Sequence, residues 1–432
     1  MLKIKIRKNL LNLNIIVIAI MLFNNIIALT TNISTFDYMD DAITGLMIYV
    51  IILNIFNRKL KVKKNVFLFL SFSIIVLLLS IIVKAPIRNI ILGYVFSFKP
   101  FIYGLYFYSL NLNKLEVNYL FKYLEKIALI VLIGAVLDIL FFPQFRYLLN
   151  NTIKIDKTLF GINPVQSLFT HPNVYSFFMG FWSIYYFTKY LIEEKRKKYN
   201  FIFFIIYFMG CILSLRRKTI IGIGLIIIYV IIFNFKVKDN RKMLSFDKKI
   251  LILTVLIGLT LLNLNNISLF IDEYFGSKLG QANTYNSRYL LMEKGSKIAI
   301  DYFPFGSGLG TFGGYASSIY YSEIYEKYGM SSIYGFSRLA PQYTGDNYFG
   351  HIIGEFGILG SIICIIIFIK CIVKLRLYFK KDNYYIVLFS IFILLASIPE
   401  LFGIALYEIS ATSILIFSTV GIALSIVDRS EK

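Results

Sequence analysis

The residues of this chain that could carry acid–base or charge chemistry are concentrated in its second half. Asp346 and His351 mark the start of an apolar segment, and a carboxylate or an imidazole at such a place can act as a general base. Upstream lie Arg288 and the pair Arg216 and Arg217, whose planar guanidinium groups can bind phosphate oxygens bidentately. These residue types together predict a site for a phosphate-bearing lipid.

The spacing of Asn347, His351 and Glu355 places all three on one face of a helix, because residues four apart are neighbours on the helix surface. A carboxylate at a helix N-terminus is also an ordinary cap, and this accounts for Asp346 alone. It does not account for His351 and Glu355, which continue along an otherwise apolar helix. The base therefore stays open between Asp346 and His351.

Two further candidates lie earlier in the chain. Lys99 stands inside an apolar run, where a charge faces a cavity or a partner, and Asp138 is a candidate counter-ion in a purely structural pair. His171 precedes Pro172, which suits the first turn of a helix, so His171 is either a cap or an acid–base residue. His171 and His351 are the only histidines and lie far apart, so no metal site is expected.

A glycine-rich stretch resembles a phosphate-cradling loop at first sight. It reads Pro304-Phe305-Gly306-Ser307-Gly308-Leu309-Gly310. A nucleotide-binding loop would end in Lys-Ser or Lys-Thr and follow a strand, and this stretch does neither. We expect a tight turn packed against the membrane surface.

The composition identifies the class of protein. Of 432 residues, 58% are hydrophobic, whereas soluble domains contain about 45–50%. The apolar runs are continuous and roughly 20 residues long, which predicts an all-α polytopic membrane protein rather than a barrel. The net charge of +21 fits Lys and Arg in cytoplasmic loops better than nucleic-acid binding.

We predict a single membrane domain, 1–432, with about twelve transmembrane helices. Placing the N-terminus in the cytoplasm puts most basic loops inside, so both termini are expected to be cytoplasmic. Two long loops then lie outside, at 143–172 and 270–345; the larger precedes the tenth span and contains eleven tyrosines, and 346–427 holds the last three spans. Arg216, Arg217 and Lys218 oppose the charge trend, since they fall outside. Headgroup anchoring or a re-entrant helix pair is the plain alternative to a binding site. The predicted spans are 11–30, 41–57, 66–83, 87–110, 120–142, 173–192, 200–214, 218–235, 249–269, 346–369, 384–402 and 406–427.

The second half of the chain resembles the family of O-antigen polymerases and O-antigen ligases, which includes capsule polymerases. No single piece is specific, but their order on a twelve-span chain is. The pieces are Phe169-Thr170-His171-Pro172-Asn173, Leu213-Ser214-Leu215-Arg216-Arg217-Lys218, Arg288 followed by Pro304 to Gly310, and Asp346-Asn347 followed by Glu355-Phe356-Gly357-Ile358-Leu359-Gly360.

The resemblance implies an inverting glycosyltransferase of GT-C-like architecture in the bacterial inner or plasma membrane. It would polymerise undecaprenyl-pyrophosphate-linked repeat units of O-antigen, as in lipopolysaccharide biosynthesis, or of capsular polysaccharide. It needs no cofactor and no metal, and its partners would be the lipid-linked glycan, membrane lipid, a chain-length regulator and a flippase, with no nucleic acid. The implied roles are catalytic for Asp346 and His351, pyrophosphate-binding for Arg216, Arg217 and Arg288, and substrate-lining for His171, Asn173, Asn347, Glu355 and Lys99.

Two other functions compete with the polymerase. Ligases of the family carry a histidine where this chain has Asp346, which favours a polymerase. A lipid-linked oligosaccharide flippase or transporter is the other alternative, but such carriers usually place their long loop centrally and inside. The sugar, its linkage, the choice between O-antigen and capsule, and the oligomeric state stay open at this stage.

Overall fold

The computed structural model describes residues 2–31, 36, 38–57, 64–150, 163–193, 196–232 and 286–430. These ranges are mainly helical and contain no β-strand. The predicted ninth span, 249–269, lies outside the described residues. The helices are α1 Leu2–Thr31, α2 Met39–Phe56, α3 Lys64–Ile82, α4 Ile87–Ser109, α5 Lys114–Leu140, α6 Gln144–Asn150, α7 Pro172–Ile192, α8 Lys197–Leu213, α9 Arg217–Ile232, α10 Ser287–Asp301, α11 Tyr315–Ile319, α12 Ile324–Lys327, α13 Tyr348–Phe379, α14 Tyr385–Leu401 and α15 Ser410–Ser430.

Within the described ranges, five helices are long and apolar enough to cross a membrane, namely α1, α2, α4, α13 and α15. Large apolar residues are exposed on α1, α2, α4 and α13. On α13, Ile362, Ile366, Ile369 and Val373 recur at helical spacing and are 44–54% exposed. Such a stripe would be unfavourable in water, but it suits contact with lipid. The all-α membrane class predicted from composition is confirmed.

Helices α14 and α15 form the centre of the bundle, and most of their residues are buried. Small residues allow their neighbours to approach closely. A Cβ atom on Gly421 of α15 would lie 2.2 Å from the carbonyl oxygen of Gly104 on α4. A Cβ atom on Gly222 of α9 would lie 2.6 Å from the carbonyl oxygen of Ala396 on α14. The bundle therefore depends on backbone-to-backbone packing.

Helix α13 is interrupted at Gly357, which adopts φ 67° and ψ −169°. At the break, two backbone carbonyl groups of α13 accept hydrogen bonds from outside the helix. Those of Gly354 and Glu355 accept hydrogen bonds from the backbone N–H groups of Ser307 and Gly308, at 2.9 and 3.1 Å. A break in a membrane helix is tolerated where other parts of the protein satisfy the freed backbone groups. Here the glycine-rich stretch does so.

The glycine-rich stretch is a turn, as expected, but it is buried inside the protein rather than lying on the membrane surface. It contacts two further helices. The Leu309 N–H donates to Ser80 of α3 at 2.9 Å, and the Asn89 amide of α4 donates to the Gly310 carbonyl at 2.8 Å. Gly310 has φ +70°, and a Cβ atom there would lie 2.0 Å from the Asn89 carbonyl oxygen, so only glycine fits.

The described part of the predicted outer loop is a folded layer with its own hydrophobic core. The sequence from 289 to 300 predicts a short helix lying on the membrane surface. The structure has α10 there, but α10 packs on the first half of α13, and a Cβ atom on Gly295 would lie 2.5 Å from the Gly350 carbonyl oxygen. Several tyrosines and other apolar residues fill the core beneath α10 and α12, including Leu290, Leu291, Ile298, Phe312, Tyr325, Tyr328, Met330 and Phe336.

The break in α13 generates a stability prediction. In Gly357→Ala, the new Cβ atom would lie 2.4 Å from the Gly306 nitrogen, in a backbone conformation that alanine disfavours. We expect the free energy of unfolding to fall by about 2 kcal/mol or more, measured as a lower melting temperature of the purified protein. The matched control is Gly45→Ala on α2, where nothing lies within 4 Å of the added carbon. Equal melting temperatures for the two variants would contradict the role of the break.

Candidate functional site

Positively charged side chains from separate segments meet beside Gly403, just after α14. The Lys218 ammonium donates to the Gly403 carbonyl oxygen at 2.7 Å. A Cβ atom on Gly403 would lie 2.0 Å from the Lys218 Nζ and 3.2 Å from the Arg288 Nε. The charge of Arg216 also acts on Lys218. Two of the three predicted arginines, Arg216 and Arg288, therefore lie close to Lys218. We call these three residues the cation cluster.

Local backbone features place the first two cations. Helices α8 and α9 are joined by a short turn in which Leu215 adopts a positive φ of 56°. The Ser214 hydroxyl accepts from the Arg216 N–H at 3.2 Å. The turn is so short that Arg216, Arg217 and Lys218 stay at one end of the bundle.

Two asparagine caps place the third cation. The Asn286 side chain accepts from the Arg288 N–H at 3.0 Å and begins α10. The Asn347 side chain begins α13 by accepting from the Gly350 N–H at 3.0 Å, and its amide donates to the Arg288 carbonyl at 2.9 Å. Asn347, predicted to line the substrate site, therefore joins the starts of α10 and α13 and positions Arg288.

Two carboxylates border the cation cluster. Asp346 accepts from the Ser287 hydroxyl at 2.8 Å, and Glu400 accepts from the Thr219 hydroxyl. Asp346 lies before the first residue of α13. Burial raises the pKa of Asp346 above its ordinary value, while the Ser287 hydroxyl and the charges of Arg288 and Lys218 oppose the rise. A half-buried carboxylate with a raised pKa is a suitable proton acceptor.

His351 is buried within a network of acceptors, where 2% of the residue is exposed. Its Nδ1 lies 2.7 Å from the Phe312 carbonyl oxygen, and its Nε2 lies 3.1 Å from the Glu408 Oε1. A carbonyl only accepts, so Nδ1 carries a proton, and Nε2 also carries one when it pairs with ionised Glu408. In that state the imidazole has no lone pair with which to act as a base.

Glu355 lies beside His351 and receives the glycine-rich stretch. Its two carboxylate oxygens accept from the backbone N–H groups of Gly310, at 2.9 Å, and Phe312, at 2.8 Å. The loop that looks like a phosphate cradle therefore binds a carboxylate of its own chain. Of the predicted helix face of Asn347, His351 and Glu355, the last two are buried in the interior of the protein. Asn347 is not part of the helix, since it is the extended residue that caps it.

The predicted pairing of Lys99 with Asp138 is wrong. Lys99 donates to Asp40 and Asp41 at the start of α2, at 2.6 Å each, because α2 packs along α4. Asp138 instead accepts from the Arg146 guanidinium at 2.7 and 3.1 Å. Lys99 is 1% exposed and lies behind Asp40.

The cap predicted before α7 is confirmed. The His171 Nδ1 accepts from the Asn173 N–H at 3.1 Å, and Pro172 is the first residue of the helix. The neighbouring Thr170 and Val174 line a cavity of about 300 Å³. His171 and Asn173 thus lie close to the edge of this cavity.

Sequence reasoning missed three carboxylates that the structure places near the predicted residues. Asp40 and Glu408 line the cavity, and Glu400 borders the cation cluster. Each stands within or beside an apolar segment, and an ionisable residue at such a place is a default functional candidate. The same rule that drew attention to Lys99 could have found them.

The Glu355 arrangement can be tested by stability. Glu355→Gln keeps the shape but leaves only one acceptor oxygen for two loop N–H groups. We expect the free energy of unfolding to fall by about 1–3 kcal/mol, measured by thermal unfolding. The control is Glu293→Gln on the outer face of α10, where the carboxylate contacts its neighbour Lys294. If Glu355→Gln unfolds at the same temperature as the control, the two hydrogen bonds from Gly310 and Phe312 to Glu355 do not stabilise the fold.

Comparison with known proteins adds no family assignment. No protein-family model matches this chain. No curated protein shows significant sequence similarity to it.

Proposed function

We propose that this chain is a membrane glycosyltransferase that polymerises polyprenyl-pyrophosphate-linked repeat units of O-antigen or capsule. The proposal keeps twelve spans, cytoplasmic termini and an outer site in the bacterial inner or plasma membrane. The observation that carries it is the convergence of Arg216, Lys218 and Arg288 beside Asp346. These residues combine an anion-binding group with a proton acceptor.

The cation cluster suits a pyrophosphate leaving group. Among the described residues, the three cations lie near two carboxylates, Asp346 and Glu400. Fixed cations stabilise negative charge that develops as the bond breaks. The arginine forks would hold the phosphate oxygens, and Lys218 would add a point charge.

The reaction proposed is a single displacement. The acceptor hydroxyl oxygen attacks the anomeric carbon of the donor sugar, and the bond from this carbon to the pyrophosphate oxygen breaks. Asp346 takes the hydroxyl proton, and the pyrophosphate leaves with both bonding electrons. The buried position of His351 supports Asp346 as the base, since its Nδ1 is bonded to the Phe312 carbonyl and its Nε2 lies 3.1 Å from the Glu408 carboxylate.

The alternatives are an O-antigen ligase and a lipid-linked oligosaccharide flippase. Glycan analysis after deletion of the gene separates all three. Loss of a polymerase leaves single repeat units attached to their final lipid. Loss of a ligase leaves polymer on the polyprenol carrier, and loss of a flippase leaves repeat units on the cytoplasmic face.

The arginine geometry predicts that charge alone is insufficient. Lysine is a point charge and cannot replace a bidentate fork. We expect Arg288→Lys and Arg216→Lys each to abolish most polymer, measured by glycan gels at matched protein abundance. Arg338→Lys is the control, since Arg338 lies over the Tyr321 ring in the same layer. Wild-type polymer from Arg288→Ala would refute the pyrophosphate role.

The base assignment predicts a pH effect. Asp346→Asn should reduce turnover at least about a hundredfold, the usual scale for loss of a general base. The base works only when deprotonated, and the Ser287 hydroxyl lowers the pKa of Asp346. Ser287→Ala should therefore move the acid limb of the rate profile to higher pH while leaving the plateau rate similar. The measurement uses purified protein and lipid-linked repeat units. Near-normal turnover in Asp346→Asn would exclude Asp346 as the base.

A further inference from the structure

The cavity of about 300 Å³ has a lining that differs from the cation cluster. It lies between the ends of α1, α2 and α15 and the segment before α7. Its volume is at the lower end of the range of about 300–1,000 Å³ for small-molecule sites. Its polar lining consists of amides, hydroxyls and carboxylates, contributed by Asn24, Asn25, Asp40, Thr170, Tyr315, Glu408 and Ser410.

One lining group lacks a partner. The Asn24 side chain is buried, with 6% of the residue exposed, and its carbonyl oxygen has no hydrogen-bond donor among the described residues. A buried amide oxygen without a donor is costly, and native structures rarely leave one so. Because Asn24 lines the cavity, a hydroxyl group of a bound molecule could supply the missing donor.

The charges of the lining favour an uncharged molecule. Asp40 and Glu408 are its only acidic or basic residues among those described, and each has a nitrogen atom of another side chain behind it. Lys99 donates to Asp40 at 2.6 Å, and the His351 Nε2 lies 3.1 Å from Glu408. No lysine or arginine lines the cavity in this part of the structure, so a carboxylate or phosphate ligand would meet only like charge. A ligand rich in hydroxyl donors would meet acceptors.

The cavity also lies close to the proposed base. Tyr315 belongs to its lining. A Cβ atom on Gly345 would lie 3.5 Å from the Tyr315 ring, and Gly345 directly precedes Asp346. The Tyr315 N–H donates to Glu408 at 2.8 Å, which holds this residue between the cavity and Asp346. A molecule in the cavity would therefore be one side chain away from Asp346.

We infer that this cavity binds one uncharged sugar residue through its hydroxyl groups, with Asn24 and Thr170 among the contacts. The inference rests on the proposed function in one respect, namely that this sugar belongs to the acceptor glycan. The donor pyrophosphate would then bind at the positively charged cation cluster. The neutral acceptor sugar would bind in the cavity, whose lining contains carboxylates and neither lysine nor arginine among the described residues.

The test measures binding of methyl glycosides to the purified full-length protein in nanodiscs, by saturation-transfer NMR without any donor. The panel contains glucose, galactose, mannose and N-acetylglucosamine glycosides, together with glucuronic and galacturonic acid glycosides. We expect at least one neutral glycoside to bind at least about tenfold more tightly than its uronic acid counterpart. Absence of binding by every neutral glycoside, or equal binding of the uronic acids, would overturn the inference.

Variants locate the binding. Asn24→Leu and Thr170→Val should each weaken the dissociation constant about two- to tenfold, the effect of one lost hydrogen bond. Asn14→Leu is the matched control on α1, since Asn14 donates to the Leu10 carbonyl and lies outside the cavity lining. Thr170→Val is nearly isosteric and lies outside α1, so it keeps the test valid if Asn24→Leu fails to fold. Unchanged affinity in Thr170→Val would overturn the inference.

This experiment also separates the inference from the proposed function. Binding of glycosides requires neither donor nor turnover. If Arg288→Lys abolishes polymer while no neutral glycoside binds, the polymerase proposal stands and the sugar cavity falls. If neutral glycosides bind and Arg288→Ala leaves polymer unchanged, the cavity stands and its ligand is not an acceptor of this reaction.

Discussion

The interruption of α13 at Gly357 is the constraint on which the rest of the site depends. It frees backbone carbonyls inside a membrane protein, where water cannot satisfy them. The glycine-rich stretch supplies the missing N–H groups through Ser307 and Gly308, and the N–H groups of Gly310 and Phe312 bind the Glu355 carboxylate. These hydrogen bonds join the layer formed by residues 286–345 to the helix bundle, and α10, which carries Arg288, packs on the first half of α13.

Charge is distributed in separate groups around this junction. The cation cluster lies beside Gly403. The cavity is lined instead by the carboxylates of Asp40 and Glu408, which contact Lys99 and His351 respectively. Lys99 and His351 are both nearly inaccessible and act through the carboxylates they contact. Burying a charge is unfavourable unless it is paired. These two pairs leave the Asp40 and Glu408 carboxylates in the lining of the cavity.

The glycine-rich stretch has the glycines of a phosphate-binding loop, but it binds a side chain of its own chain. A turn with several glycines exposes backbone N–H groups, and these groups bind whichever anion the fold brings to them. In this chain the anion is the side chain of Glu355, 45 residues further along. Such a distant partner leaves no local signal, so the sequence supported a turn and gave no indication of its ligand.

The amino-acid sequence by itself determined the all-helical membrane class, the positions of most described helices and the cap at His171, because hydrophobic periodicity and capping act over a few residues. It suggested Asp346 as the cap of α13, but the structure places Asn347 there, and the Asn347 side chain accepts from the Gly350 N–H. Only the tertiary structure decided that Lys99 pairs with Asp40 and Asp41 instead of Asp138, that Lys218 joins Arg288, and that His351 is enclosed by Phe312 and Glu408. These pairings join residues far apart in the chain. Their partners depend on which helices pack together, and apolar helices of similar composition carry little information about their neighbours.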